Sequence, residues 1–197
     1  NPETIHKAFN ASFSDTHLPV NLTFEEFMRD PVKRRAVDFN LSMGAFSDKK
    51  LVGFVLNGIR TINGIPTAYD SGTGVIPKFR RRGVGRTLMK KSLHLLRENS
   101  IKRYVLEVMT QNDPALQIYR NLGFTEIRTL KCFKKENQVI QGFDNSVSVE
   151  ETLPSKIPWD RLDDFSDHRP TWQNSREAIL ADPDSFSTVV LKKGGIL

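Results

Sequence analysis

An apolar run closing at Val75-Ile76-Pro77 passes into Arg80-x-x-Gly83-x-Gly85, and from Val84 the apolar residues Leu88, Leu95 and Leu96 take up helical spacing. This change of period across a basic, glycine-broken turn limits the chain more than any other stretch. It requires a strand, a tight turn and a helix in that order, so it excludes an all-α or all-β fold. Glycines let the backbone turn sharply and approach a ligand closely. The first amides of the helix have no partner within it and carry partial positive charge, so with Arg80, Arg81, Arg82 and Arg86 around them they form a cradle for a pyrophosphate. The stretch lacks the Gly-Lys-Ser/Thr ending of a nucleoside-triphosphate loop. Leu88 stands where a dinucleotide fingerprint needs its third glycine. A plain basic turn remains the simpler alternative. Nucleic acid is disfavoured, because the basic run is short and Phe79 alone offers an aromatic platform.

Before this turn, residues 5–13 and 23–29 read as short helices, with Thr23 a cap and Glu26 three residues on. Residues 39–46, 51–59 and 66–76 read as strands, and Asn63-Gly64 is a hairpin turn signal, so these form an antiparallel meander. After the helix, 103–109 reads as a buried strand, 112–124 as a helix and 124–133 as another strand. Asn112 or Asp113 caps that helix, Pro114 suits its first turn and Gly123 its far end. The predicted fold is mixed α/β (α+β): a meander, then a parallel strand pair joined by a crossover helix.

Composition narrows the setting. Residues 1–140 carry 23 Lys and Arg against 13 Asp and Glu, whereas 141–197 carry 6 against 10. A basic half suits an anionic ligand without naming it. No apolar run approaches the roughly 20 residues that span a bilayer. The N-terminus shows no secretory signal pattern, and the single Cys132 fits a reducing, cytoplasmic setting. His6, His17, His94 and His168 lie too far apart for local metal-ligand spacing, so no metal is expected. Nothing in the sequence sets an oligomeric state.

The stretch VIPKFRRRGVGRTLM, followed by LEVMTQNDPALQIYRNLGF, resembles the acetyl-CoA-binding core of the GNAT superfamily of N-acetyltransferases. Arg80, Gly83 and Gly85 match its R/Q-x-x-G-x-G/A loop. Asn112, Tyr119 and Gly123-Phe124 match its second motif. Arg81 departs from the pattern, since many members carry Gly there. The family also opens with a strand before its first helix, where this chain has only Asn1 to Thr4.

The resemblance implies acetyl-CoA as co-substrate, with no metal. Its pyrophosphate lies on the amides of residues 81–86 (Arg81, Arg82, Gly83, Val84, Gly85, Arg86), next to Arg80 and Asn112. Its pantetheine arm lies along Thr73, Gly74 and Val75, where that strand and 103–109 splay apart. The acceptor is a primary amine on a small molecule or peptide that attacks the thioester directly, so Cys132 reads as a small buried hydrophobe and not a nucleophile. Tyr119 holds the family's acid position. A thiol near about 8.5 and a phenol near about 10 make proton transfer feasible with modest tuning. The same ring also fits a core stripe of Ala115, Ile118, Tyr119 and Leu122. Glu107 is the candidate base, its carboxyl raised by apolar neighbours, with a paired or solvated glutamate, or deprotonation through water by backbone groups, as the alternatives. Asp70 is a weaker candidate for holding the cationic amine, and His94 reads as surface. A different class of function is a non-catalytic acetyl-CoA sensor or interaction module.

The resemblance covers roughly residues 5–140, within a first domain of 1–140. In 141–197, SVSVEETL reads as a strand, 170–186 holds a helix ending before Asp182-Pro183, and STVVLKKGGIL reads as a strand, a Lys-Lys-Gly-Gly turn and a new strand. This order mirrors the N-terminal half, so 141–197 is expected to open a second unit of the same kind, or else to form an extension that shapes the acceptor site.

Overall fold

The computed structural model describes residues 1–16, 19–133, 147–162, 169–186 and 188–193. The chain divides into two compact units, Asn1–Phe124 and Thr125–Leu197.

In the first unit, helix α1 (Pro2–Phe13) starts at Asn1, whose side chain accepts from the Glu3 amide. Helix α2 (Phe24–Phe27) starts on the predicted box, Thr23 and Glu26 each bonding the other's backbone amide. A π-helical turn, Met28–Arg34, carries Pro31 inside it. Residues 39–41 form a 3₁₀ turn where the sequence suggested the start of a strand. Strands β1 (Met43–Ser47), β2 (Lys50–Ile62) and β3 (Ile65–Val75) then make the expected antiparallel meander. Asn63 and Gly64 take φ of 51° and 74°, as a two-residue hairpin turn demands. Helix α3 (Val84–Glu98) crosses over to β4 (Arg103–Val105), which lies parallel to β3, and helix α4 (Asp113–Asn121) follows. The sheet order is β1-β2-β3-β4.

Alternation along β2 sorts the core into two faces. Phe54 and Leu56 pack with Ala8, Phe9 and Phe27 beneath α1 and α2. Val55 packs with Leu88 and Met89 of α3 and with Tyr119 and Leu122. Gly74 lets α1 come close to the sheet: a Cβ there would stand 2.6 Å from the Phe54 ring and 2.8 Å from Ser12 Cβ. Gly74→Ala is therefore expected to destabilise the chain by about 1–3 kcal/mol through overpacking, read as a lower urea midpoint at unchanged slope.

A bulge in β3 sets the faces of the residues that matter most. Leu56 pairs with Gly72, but the next residue, Asn57, pairs with Asp70, leaving Ser71 as the extra residue. Added Cβ atoms at Gly74 and Gly72 would meet Phe54 and Phe9, so both positions face α1. Strict alternation would send Asp70 the same way. The extra residue reverses the parity and turns Asp70 toward α4.

Three expectations are corrected. Strand 103–109 ends at Val105, because β3 pairs with it only from Thr67 to Tyr69 and bulges just beyond. Residues 125–133 form no strand: alternation favours an extended segment, but a strand needs a ladder partner. Cys132 is exposed, not buried.

In the second unit, β5 (Val147–Thr152) pairs antiparallel with β6 (Thr188–Lys193). Between them come α5 (Trp159–Leu162) and α6 (Arg176–Ala181), the latter capped by Ser175 and ending before Asp182-Pro183 as the sequence indicated. Trp172 and Ala178 are buried in this unit. Of the expected Lys-Lys-Gly-Gly turn, Lys192 and Lys193 instead continue β6, paired with Ser148 and Val147; residues 194–197, with the rest of the turn and the final strand, lie outside the described residues. No described helix is long and apolar enough to cross a membrane.

Candidate active site

The mouth of α3 is an uncapped helix end. Gly83 precedes it at φ 77° and has no side chain to offer the first amides. The first closed turn runs from the Thr87 amide to the Gly83 carbonyl, 3.0 Å. The amides of Val84, Gly85 and Arg86 therefore have no acceptor within the helix. Space is open at Gly83, where an added Cβ would meet nothing within 4 Å; at Gly85 it would make ordinary contacts with Ile118 and Val75, 3.7 Å each. Arg81 takes φ 60°, a left-handed conformation in which Gly carries no strain. The Gly that the resembled loop pattern carries at this position would avoid that strain.

The arginines divide by role. Arg81, Arg82 and Arg86 are exposed around the mouth, and Arg82 also lies 5.6 Å from the centre of the Phe79 ring. Arg80 points elsewhere. Its guanidinium donates to both carboxylate oxygens of Asp15, each 2.8 Å, to the Ser12 carbonyl at 2.9 Å and to the Val75 carbonyl at 3.0 Å. These bonds hold the Asp15 carboxyl below the usual range and tie the loop to the end of α1. Among the sequence-derived candidates, Arg80 thus shapes the loop with its side chain.

Beside the mouth, β3 and β4 splay. Beyond Tyr69 and Val105 they no longer pair, so β3 from Asp70 to Val75 has ladder partners on its β2 side only. Thr73, Gly74 and Val75 lie on this edge. Asn112 caps α4, its Oδ1 accepting from the Ala115 amide at 3.3 Å.

The titratable groups fall on two elements. Tyr119 packs edge-on to Phe124, and its hydroxyl donates to Asp70 Oδ2 at 3.2 Å. Thr73 Oγ1 donates to the same oxygen at 2.7 Å. Burial pushes the Asp70 carboxyl up to about 6, while the bonds from Thr73 and Tyr119 pull the other way. A carboxyl raised in the folded state stabilises the fold below its unfolded range and loses that contribution as pH rises. At neutral pH Asp70 costs the fold on the order of 3 kcal/mol, lost between about pH 4 and 6. Tyr119 is also pushed up, by burial and then by the Asp70 charge. That direction opposes the tuning toward a thiol expected from the sequence.

Glu107 lies past the end of β4 and is exposed, so the apolar burial expected to raise its carboxyl is missing. Its charge reaches Tyr69, a buried residue whose hydroxyl is raised first by burial and next by Glu107. Sequence reasoning passed over Tyr69, although the Tyr69-Asp70 pair ahead of Ser71-Gly72 was visible. His94 lies on the surface, 3.2 Å from Glu98.

An uncapped helix mouth ringed by cations, next to a gap between two strands, is a layout that accepts an extended ligand with a phosphate-bearing end. The sequence profile of the acetyltransferase (GNAT) family matches residues 3–124, and the chain belongs to that family. It is 27% identical over 130 residues to an N-alpha-acetyltransferase of Sulfurisphaera tokodaii, covering 61% of this chain and 75% of that one. To the N-alpha-acetyltransferase RimI of Mycobacterium tuberculosis it is 38% identical over 90 residues, 45% of this chain and 54% of the relative's length. An aminoglycoside acetyltransferase from an uncultured soil metagenomic sample, solved in complex with sisomicin, shares the fold at a TM-score of 0.51 and 18% identity, covering 70% of this chain and 90% of its own.

Proposed function

We propose that the chain transfers the acetyl group of acetyl-CoA to a primary amine by direct attack. The observation that carries this reading is the splayed β3/β4 edge opening beside the uncapped mouth of α3, with space left at Gly83. These residues fit the co-substrate. The amides of residues 81–86, with Arg81, Arg82 and Arg86, would hold its pyrophosphate, and the free edge from Thr73 to Val75 its pantetheine arm. When bound, the thioester supplies an activated acetyl group. Glu107, whose charge reaches Tyr69, would accept the proton that an alkylammonium must lose before it can attack. Tyr119, bonded to Asp70 of β3, belongs to the proton-donating side.

Relatives named N-alpha-acetyltransferases favour a peptide N-terminus as acceptor, and the fold likeness to an aminoglycoside acetyltransferase makes an aminoglycoside the second to test. The test is thiol release from acetyl-CoA with peptides, aminoglycosides, polyamines and amino acids. Turnover on one class supports the reading. Cofactor binding with no turnover on any would instead favour an acetyl-CoA sensor. With an accepted amine in hand, Glu107→Gln should lower turnover and flatten its rise with pH; a profile of unchanged height and shape would assign the base elsewhere.

For residues 141–197 we propose the opening of a second unit of the same order. Support comes from the run of strand, helices and antiparallel strand from β5 to β6. Hydrogen exchange showing β5 and β6 unprotected while β2 and β3 stay protected would remove this reading.

A further inference from the structure

We propose that Asp70 is a positioning residue for Tyr119, the two side chains forming a proton relay aimed at the sulfur leaving group of the acetyl donor. The proposal rests on the acetyl-transfer reading above and assigns the origin of the proton.

Three observations carry it. The bulge at Ser71 places Asp70 on the α4 side of the sheet, against the direction that plain alternation gives. Asp70 Oδ2 then meets the Tyr119 hydroxyl at 3.2 Å and the Thr73 hydroxyl at 2.7 Å. Asp70 Oδ1 is buried and receives no side-chain donor, the Gly72 amide being the further group that favours the charged carboxylate. An ionised carboxylate is costly in such a buried place, so the site pushes Asp70 toward the carboxylic acid, the form that dominates below about pH 6. The neighbouring groups agree. Tyr119 from α4, Tyr104 from β4 and Tyr69 on the same strand are neutral phenols, and each feels the Asp70 charge as an upward push; Arg35, after the π-helical turn, supplies the opposing positive charge.

Tyr119 alone is a poor acid here, because its hydrogen is held by Asp70 and its ionisation is opposed by burial. The pair removes the difficulty. As the carbon–sulfur bond breaks, its electron pair stays on sulfur. The Tyr119 O–H bond then breaks and an S–H bond forms. In the same motion the Asp70 carboxyl proton moves to Tyr119 Oη, so the tyrosine ends as a neutral phenol and Asp70 as a carboxylate. The alkylammonium gives up two protons, one before attack and one as the amide forms; through water, one restores the proton that Asp70 lost and the other leaves to solvent. Transfer from an acid near 6 to a thiol near about 8.5 runs downhill.

The test uses the whole chain, with tyrosine labelled at Cζ and the Tyr119 resonance assigned by its loss in Tyr119→Phe. Without ligand, the Tyr119 signal should titrate with a midpoint near pH 6, and Asp70→Asn should abolish that titration. Thr73→Val, which removes one bond to the carboxylate, should move the midpoint upward and gives the same information if Asp70→Asn fails to fold. A flat Tyr119 signal in the parent, or an unchanged titration in Asp70→Asn, overturns the relay. With acetyl-CoA and an accepted amine, Asp70→Asn should lose at least tenfold in kcat together with the limb of the pH profile that reports this ionisation. An active Asp70→Asn enzyme with the parent's profile overturns the relay and leaves acetyl transfer intact. A parent that transfers no acetyl group, yet shows the coupled titration, overturns the acetyl-transfer reading and the sulfur end of the relay, leaving the Asp70–Tyr119 coupling.

Discussion

Tyr119→Phe is expected to bind acetyl-CoA as tightly as the parent and to turn over about 10²-fold more slowly, the usual loss when a proton donor is removed. The ring stays: it packs against Phe124 and within the cluster of Val55, Leu88 and Met89, so α4 keeps its seat on the sheet. Only the hydroxyl goes, and with it the bond to Asp70. Calorimetric titration with acetyl-CoA and single-turnover kinetics separate the two effects. Parent-like turnover, measured where chemistry limits the rate, would return Tyr119 to a purely packing role.

Gly83→Val should cut acetyl-CoA affinity tenfold or more. The chain itself leaves room for the new side chain, since nothing stands within 4 Å of an added Cβ. The clash therefore arises only when a pyrophosphate approaches the amides of Val84 to Arg86. The φ of 77° adds about 1–2 kcal/mol of strain to any L-residue there. Gly64→Val separates the two effects: its φ is 74°, its surroundings are equally open, and it lies in the β2–β3 turn. Both variants should lose similar stability in urea, and Gly83→Val alone should lose affinity in calorimetry. Equal cofactor binding by both would take the loop out of the site.

Much of this protein can be read from short stretches of its sequence. Thr23 with Glu26, Asn63-Gly64, Asn112 with Pro114, and Gly83 each act through backbone groups within a few residues, so their structures follow from local chemistry alone. Period-2 and period-3.6 patterns likewise placed the meander, α3 and α4, because each element must turn its apolar side to the core. The order of the two motifs was enough to suggest the family.

What the sequence could not convey depends on partners distant along the chain. Arg80 finds Asp15 across 65 residues, and these bonds brace the loop against the end of α1. Strand β4 stops at Val105 because β3 stops pairing with it, and residues 125–133 alternate without forming a ladder, since a strand exists only where another offers its amides and carbonyls. With β4 cut short, Glu107 comes out exposed and near Tyr69. The bulge at Ser71 is the clearest case. No residue type announces it, yet one extra residue against β2 exchanges the faces of everything before it and brings Asp70 to Tyr119, 49 positions further along the chain. Local sequence determined which elements form and where they turn; register, set only when strands and helices pack, decided which side chains meet.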